Sequence, residues 1–321
     1  MQEAGVFIGV DVSKAELVIS TVGERRPCCI ANEPASIGRW LRELAPSALI
    51  AMESTGRYHA LLAQLASQAG FTVYVLNARD VFFYARALGT RGKTDGVDAG
   101  VIARYLAEHH AHLHPWRAAS SLQQRLQELL SRRAQIAVHR SALNQVMSGV
   151  DVSDLDVRAL QDAFDALLRS IDEKVQQLIA GDAQLAAGCR RLRTITGIGA
   201  QTSALLVTLF SRFDFANADA LVAYSGLDPR PNDSGAKHGR RRLSKKGPAL
   251  LRRQMFLAGF AASHSKALKP LYLAIRAKGF TTTQALVILG RKLLRVAFAV
   301  WKGNESFDPA RLMPANDLKK T

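Results

Sequence analysis

Four carboxylates stand where their type and spacing could do chemistry. Asp11 interrupts the β-branched, apolar run at 6–12, where a charge is costly unless it is paired, hydrogen-bonded or bound to a cation. Glu53 ends the apolar run 48–52 and leads into a Ser-Thr-Gly turn. Asp95 and Asp98 open a helical stretch behind Thr94, a candidate N-cap, and a spacing of three puts both on one helix face. Carboxylate oxygens suit hard divalent cations. Two Mg²⁺ ions about 4 Å apart stabilise the charge on the attacking and leaving oxygens of a phosphodiester. Without cations the four groups would repel one another. Taken singly, each has a plainer role: Asp11 at a hairpin turn, Glu53 at a surface strand end, Asp95 and Asp98 complementing a helix dipole.

A second constellation lies downstream. Between Arg230 and Arg253 stand nine basic residues (Arg230, Lys237, Arg240, Arg241, Arg242, Lys245, Lys246, Arg252, Arg253) against one acid, Asp233. Such a stretch repels itself without a polyanion. Within it Ser234 precedes Gly235, which places its hydroxyl on an accessible turn. A serine attacks phosphorus when its proton is removed and the developing charge is offset by arginines or metal. Ser225, Ser244 and Thr202 are rivals. Upstream, 192–206 has the pattern of a helix-hairpin-helix. There a Gly-x-Gly turn (Gly197, Gly199) offers backbone N–H groups at a helix N-terminus to a nucleic-acid phosphate; the alternative is a plain turn whose glycines serve the backbone alone.

These groups need elements to position them. Residues 6–12 and 16–22 read as a strand hairpin, 27–31 as a third strand, 36–45 as a helix, 48–52 as a strand, 57–69 as a helix and 71–76 as a strand. Helices at about 79–89 and 94–109 follow. Leading strands followed by strand–helix alternation make a mixed α/β sheet, in the layout of the ribonuclease H fold. In that layout the first strand is central, so the four acids can converge. Residues 118–149 and 155–180 read as an antiparallel helical hairpin or coiled-coil arm. Its seam runs through Leu122, Leu126, Leu129, Ile136, Leu143 and Met147 on one helix, with Arg133 and Arg140 filling two slots, and through Leu160, Phe164, Leu167, Ile171 and Leu178 on the other. Beyond 190 the chain is helical and basic, with a loop at 229–247, helices at about 248–263 and 281–301, and a polar tail. The expected division is 1–115, 116–185 and 186–321.

Charge follows the same division. Residues 1–185 carry 19 Lys and Arg against 20 Asp and Glu, whereas 186–321 carry 24 against 7, within a net charge of +16. A neutral half joined to a strongly basic one points to nucleic acid. No run of about 18 apolar residues suggests a membrane span. The first residues lack the pattern of a secretory signal. Cys28, Cys29 and Cys189 have neither disulfide nor zinc spacing, so a cytoplasmic setting is expected. The run from Glu108 to His114 reads as a solvated helix end rather than a metal site. Phe82, Phe83 and Tyr84 read as an apolar helix face, with base stacking as the alternative.

The segments GVDVSK, AMESTGRY, RGKTDGVDA, ITGIGAQTSALL, AYSGLDPRPNDSG, RRLSKKG and LLRR together resemble the DEDD transposases with a C-terminal catalytic serine. The resemblance spans about residues 5 to 310. It implies a RuvC-like N-terminal domain whose Asp11, Glu53, Asp95 and Asp98 bind Mg²⁺. It also implies Ser234 as a nucleophile that forms a phosphoserine link to DNA, and a dimer or tetramer whose sites combine acids and serine from different subunits through the helical arm. Members of this family include recombinases guided by a structured bridge RNA and relatives that invert DNA. Two other expectations compete: a Holliday-junction-type nuclease that uses the acids and water, and a nucleic-acid-binding protein without catalysis.

Overall fold

A computed structural model describes residues 5–24, 26–54, 56, 58–89, 95–152, 155–230, 233–234, 237–238 and 241–308, with the backbone alone for 95–97, 233, 234, 237 and 238. Arg240 and Thr94 lie outside the described residues. The chain forms two compact units, 1–118 and 119–321.

The first unit is built on β1 (Phe7–Val12), β2 (Glu16–Thr21), β3 (Cys28–Ala31), α1 (Pro34–Glu43), β4 (Leu49–Glu53), α2 (His59–Gln68), β5 (Thr72–Leu76), α3 (Ala78–Ala87) and α4 (Asp95–His109). The strands order as β3-β2-β1-β4-β5, with β1 central. β1, β2 and β3 pair antiparallel, while β1, β4 and β5 pair parallel. A strand alternates its faces, and here both faces are covered. Ile8, Val10, Ile50 and Met52 pack with Ile37 and Leu41 of α1 and Leu62 and Ala66 of α2. On the other face Ala51, Tyr74 and Leu76 pack with Val81 of α3 and Ile102 and Leu106 of α4. The strands therefore read as near-continuous apolar runs.

α4 lies closest to the sheet at Gly9. A Cβ there would fall on the amide nitrogen of Ala103 and the carbonyl oxygen of Ala99, well inside contact distance. Only glycine permits this approach.

The second unit begins with α5 (Ser121–Val146) and α6 (Val157–Ala180), followed by α7 (Ala183–Arg193), α8 (Ala200–Arg212), α9 (Ala218–Ser225), β6 (Pro229–Arg230), β7 (Asp233–Ser234), β8 (Lys237–His238), β9 (Arg242–Leu243), α10 (Ala249–His264), α11 (Lys269–Ala277) and α12 (Thr282–Gly303). One apolar core joins Leu126 and Leu130 of α5 and Val175 and Ile179 of α6 to α7, α8, α10 and α12. Glycines again set the closest crossing, since a Cβ on Gly259 or Gly290 would run into the backbone of the opposing helix.

The seam of the α5–α6 hairpin keeps Leu122, Leu126, Leu129, Ile171 and Leu178 of the expected stripe against the core, and departs from it by a residue toward the start of α6. Leu168, Val175 and Ile179 are buried, while Leu160 and Leu167 are each 48% exposed. The actual stripe runs 165, 168, 172, 175, 179 and contains two aspartates. Arg133 grips Asp172 with two bonds of 2.7 and 2.9 Å, and Arg140 reaches Asp165 at 2.9 Å. Paired across the seam, these charges take positions that an apolar pattern assigns to leucines.

Gly9→Ala is expected to destabilise the chain by about 3 kcal/mol, the upper end for overpacking, because the clash is with backbone. Gly38→Ala, in the middle of α1 and clear of neighbours apart from the end of Arg42, is expected to stabilise by about 0.5–1 kcal/mol. Denaturant unfolding followed by circular dichroism reads both signs. Asp172→Ala is expected to cost about 1.5–3 kcal/mol, and the joint Arg133→Met/Asp172→Leu exchange to recover most of it. An unrecovered loss in the double variant would show that the pair is not the cause.

Candidate functional site

Asp11 follows Phe7 and Gly9 on one face of β1. Glu53 follows Leu49 and Ala51 on one face of β4. The parallel register runs Phe7↔Leu49, Ile8↔Ile50, Gly9↔Ala51 and Val10↔Met52, so the next step sets the Cα of Asp11 against that of Glu53. Both side chains are half-buried. Their face is the one that α4 covers.

α4 runs antiparallel to β1. Its C-terminal end meets the start of the strand, where the ring of His110 lies 4.9 Å from that of Phe7. Its middle meets Gly9 through Ala99 and Ala103. Its first turn is thereby directed toward the end of β1 that carries Asp11. Asp95 is the first residue of that turn and Asp98 lies three residues on, half-buried. The backbone thus brings the four predicted positions to one end of one sheet face. The side chain of Asp95 is outside the described residues. Among the described residues no three His, Cys, Asp or Glu side chains form a cluster able to hold a metal. The donor set offered by the four positions is all carboxylate oxygen, which suits a hard divalent cation and not zinc.

The segment expected as a loop at 229–247 is a pair of nested hairpins. β6 pairs with β9, Pro229 opposite Leu243 and Arg230 opposite Arg242. β7 pairs with β8, Asp233 opposite His238 and Ser234 opposite Lys237. Strands of two residues, mostly polar or charged, show no alternation that a sequence pattern could reveal. Their register is set at the neck. Ser244 N–H donates to the Asp228 carbonyl at 3.0 Å, and Lys245 N–H to the Gly226 carbonyl at 3.1 Å. Gly226, left-handed at φ +69°, and Gly247 pass so close that a Cβ on either would strike backbone. Arg252 donates across the neck to the carbonyls of Ser225 and Gly247. Sequence reasoning counted Arg252 and Arg253 with the polyanion-facing charges. Arg252 instead ties the neck, and Arg253 donates to the Ala134 carbonyl.

The rival nucleophiles are absorbed by this architecture. Ser225 is fully buried and donates to the Val222 carbonyl at 2.7 Å. Ser244 is buried and donates to the Asp228 carboxylate. Thr202 is buried and donates to Gln254 at 3.1 Å. Ser234 sits in the inner hairpin, away from that neck. Among the basic residues, Arg230, Arg241, Arg242, Lys245 and Lys246 are exposed. Arg230 and Arg242 face each other across the ladder, a like-charge pairing that costs energy until a polyanion offsets it.

The two glycines of the 192–206 segment do different work. Gly197, at φ +94°, turns the chain and packs against α10 at Ala258 and Ala262. Gly199 is the N-cap of α8, exposed, with open space where a side chain would stand. The histidine run packs only at its start, where His109 stacks on Tyr105 with ring centres 4.4 Å apart and bonds the Tyr105 carbonyl, while His112 and His114 are exposed as a solvated helix end. Beside it Tyr84 donates to Glu108 at 2.6 Å, and burial with that carboxylate pushes the Tyr84 phenol up to about 12.

Known proteins share this plan. A transposase family model of the DEDD, IS110 type matches residues 8–151, and a model described as the transposase IS116/IS110/IS902 family matches 189–273. The pilin gene-inverting protein of Moraxella lacunata is 30% identical over 318 residues, which is 94% of this chain and 97% of the relative. That of Moraxella bovis is 30% identical over 265 residues, 80% of this chain and 81% of the relative. An insertion element IS110 uncharacterized 43.6 kDa protein from Streptomyces coelicolor is 35% identical over 126 residues, 39% of this chain and 31% of its own. Matched in both units and along nearly its whole length, the chain belongs to the IS110-type transposases and recombinases, the IS116/IS110/IS902 family.

Proposed function

We propose that this DNA recombinase cuts and rejoins strands through a phosphoserine on Ser234, with Mg²⁺ held by Asp11, Glu53, Asp95 and Asp98. The observation that carries the reading is the fate of the hydroxyls: Ser225, Ser244 and Thr202 are buried and bonded, whereas Ser234 belongs to a basic hairpin beyond a tied neck. The acids support it through their shared sheet face and oxygen-only chemistry. When bound, Mg²⁺ supplies charge stabilisation on the reacting phosphate oxygens. The Ser234 hydroxyl oxygen bonds to the scissile phosphorus, the P–O bond to the leaving strand breaks, and the proton lost by serine is balanced at the released hydroxyl. A hydroxyl of the second strand then takes the phosphorus back from Ser234 and restores its proton. Each step exchanges one phosphodiester for another, so no outside energy source is needed.

In this reading residues 1–115 form a RuvC-like, ribonuclease H-type domain, 116–185 an assembly arm and 186–321 a transposase domain with a helix-hairpin-helix-like turn at Gly197 and Gly199. Arg230, Lys237, Arg240, Arg241, Arg242, Lys245 and Lys246 hold nucleic-acid backbone. The partners are donor and target DNA, a structured guide RNA and further copies of the chain, as a dimer or tetramer. Inversion is a second reading, favoured by the two gene-inverting relatives. It uses the same bond exchanges on two sites in one DNA molecule.

Trapping of a covalent adduct tests the mechanism. Wild type, Ser234→Ala and Asp11→Asn proteins are incubated with Mg²⁺, element-end DNA and RNA transcribed from the element's flanks, then denatured. Wild type is expected to yield DNA that migrates with protein, and both variants, or removal of Mg²⁺ by a chelator, to abolish it. Cleaved DNA without an adduct, unaffected by Ser234→Ala, would replace the serine mechanism with a water-using nuclease. The same proteins on a circle with two inverted sites separate the readings: inverted product without insertion elsewhere is expected of an invertase alone.

A further inference from the structure

The outer face of α3 carries a feature that the strand-exchange chemistry does not use. Phe82 and Phe83 are 55% and 51% exposed, although they are adjacent on a well-formed helix. The inner face of that helix is already supplied with apolar groups by Val81, Tyr84, Ala85 and Leu88, which pack on α4 and the sheet. Nothing in the packing of α3 therefore calls for two more rings outside. The rings meet edge to face, with centres 5.5 Å apart. Arg79 lies over Phe83 at 5.5 Å and Arg86 over Phe82 at 5.7 Å, both in cation–π range. Spacings of three and four join the four side chains into one stripe on one helix face. The single acid of α3, Asp80, is turned the other way, toward Tyr105, whose phenol is raised by burial first and by Asp80 second.

The helix that carries the stripe starts beside one of the candidate acids, and its middle packs through Tyr84 on Tyr105 and Glu108 in the C-terminal part of α4. α3 begins at Ala78, two residues after Leu76, the register partner of Glu53, and Asn77 between them caps it by accepting from Arg79 N–H at 2.9 Å. From the far end of α3 the chain returns to Asp95 and the first turn of α4. A strand whose phosphate lies at the acid face would pass its neighbouring nucleotides along α3. Strand exchange requires some of those nucleotides to leave their duplex partners, and an unstacked base seeks a π-face while its phosphate seeks a cation. Aromatic rings interleaved with guanidinium groups offer both, without regard to sequence.

We propose that Arg79, Phe82, Phe83 and Arg86 form a stacking platform for unpaired DNA bases next to the cut. The assignment rests on the strand-cutting reading above for which DNA arrives there, but its binding chemistry does not require cleavage.

Binding of the full-length protein, in chelator, to a fluorescein-labelled oligothymidylate carrying one 2-aminopurine tests it. Stacking is expected to quench the 2-aminopurine, and Phe82→Leu/Phe83→Leu to abolish the quenching and weaken affinity for the single strand by about tenfold to a hundredfold. Affinity for a blunt duplex of the same length is expected to change less than about twofold, since its bases stay stacked and phosphate contacts carry it. Phe82→Trp/Phe83→Trp is expected to retain both signals. Unchanged single-strand affinity in the leucine variant overturns the proposal, as does equal weakening on duplex, or a loss seen with RNA alone. A leucine variant that changes sedimentation instead of DNA binding also overturns it and assigns the rings to a second copy of the chain. Melting monitored by circular dichroism checks that the surface exchange leaves the fold in place. Because no cleavage occurs in chelator, a failed platform leaves the serine mechanism intact, and a failed adduct leaves the platform intact.

Discussion

The backbone of α4 rests directly on the backbone of β1 at Gly9, and the geometry of the acid face follows from that contact. A helix packed on a sheet normally stands off by the length of intervening side chains. Here the side chain is missing at the central strand, and Ala99 and Ala103 on the helix are small as well. The helix therefore lies low against β1, with Phe7 held at its C-terminal end and Asp11 facing its N-terminal turn. If the acids share cations as proposed, they have little tolerance for displacement, because each ångström of separation weakens the field that offsets their repulsion. The close approach at Gly9 is thus one backbone contact that sets how the first turn of α4 meets the end of β1.

How much of this was legible in the sequence depends on whether the signal was local. The strands β1, β2, β4 and β5 and the helices beside them were readable, because each announces itself by period and by apolar content within a few residues. The order of the acids along those elements was readable for the same reason. The two long helices at 121–146 and 157–180 were readable, and their seam was misread by one residue only toward the start of the second. Asp165 and Asp172 look solvent-facing until Arg140 and Arg133 are known to lie across from them. The nested hairpins were invisible, since their pairing is decided by the neck, where Gly226 meets Gly247 and Arg252 ties distant carbonyls. Phe82 and Phe83 were read as an apolar helix face. Sequence periodicity cannot tell which of two apolar faces the fold will use when Val81, Tyr84, Ala85 and Leu88 already form one.

The serines make the same point in chemical terms. Ser225, Ser234, Ser244 and Thr202 carry the same functional group, and composition could not rank them. Burial ranks them, because a hydroxyl that donates inside a core is committed to the bond that keeps its neighbour satisfied. Ser225 closes the end of α9 by donating to Val222 while accepting from Leu227 N–H. Ser244 holds Asp228 at the neck. Their task is to hold the base of the hairpin still, which is the condition under which a residue farther out along it can be presented in a defined place.

Charge then gives that presentation a direction. Arg230 and Arg242 are opposed across the outer ladder, and Arg241, Lys245 and Lys246 are exposed around the same neck. Lys245 even adopts a left-handed conformation, at φ +54°, that favours glycine and costs a lysine something. A fold selected for stability alone would relieve this crowding with acids, yet Asp233 is the one acid among the nine basic residues between Arg230 and Arg253. Such crowding of like charge is the pattern of a surface that meets a polyanion, which is the use the proposed function makes of it. On a surface of that kind a docked phosphate converts a cost of the free protein into a contribution to the complex and releases counterions as it does so.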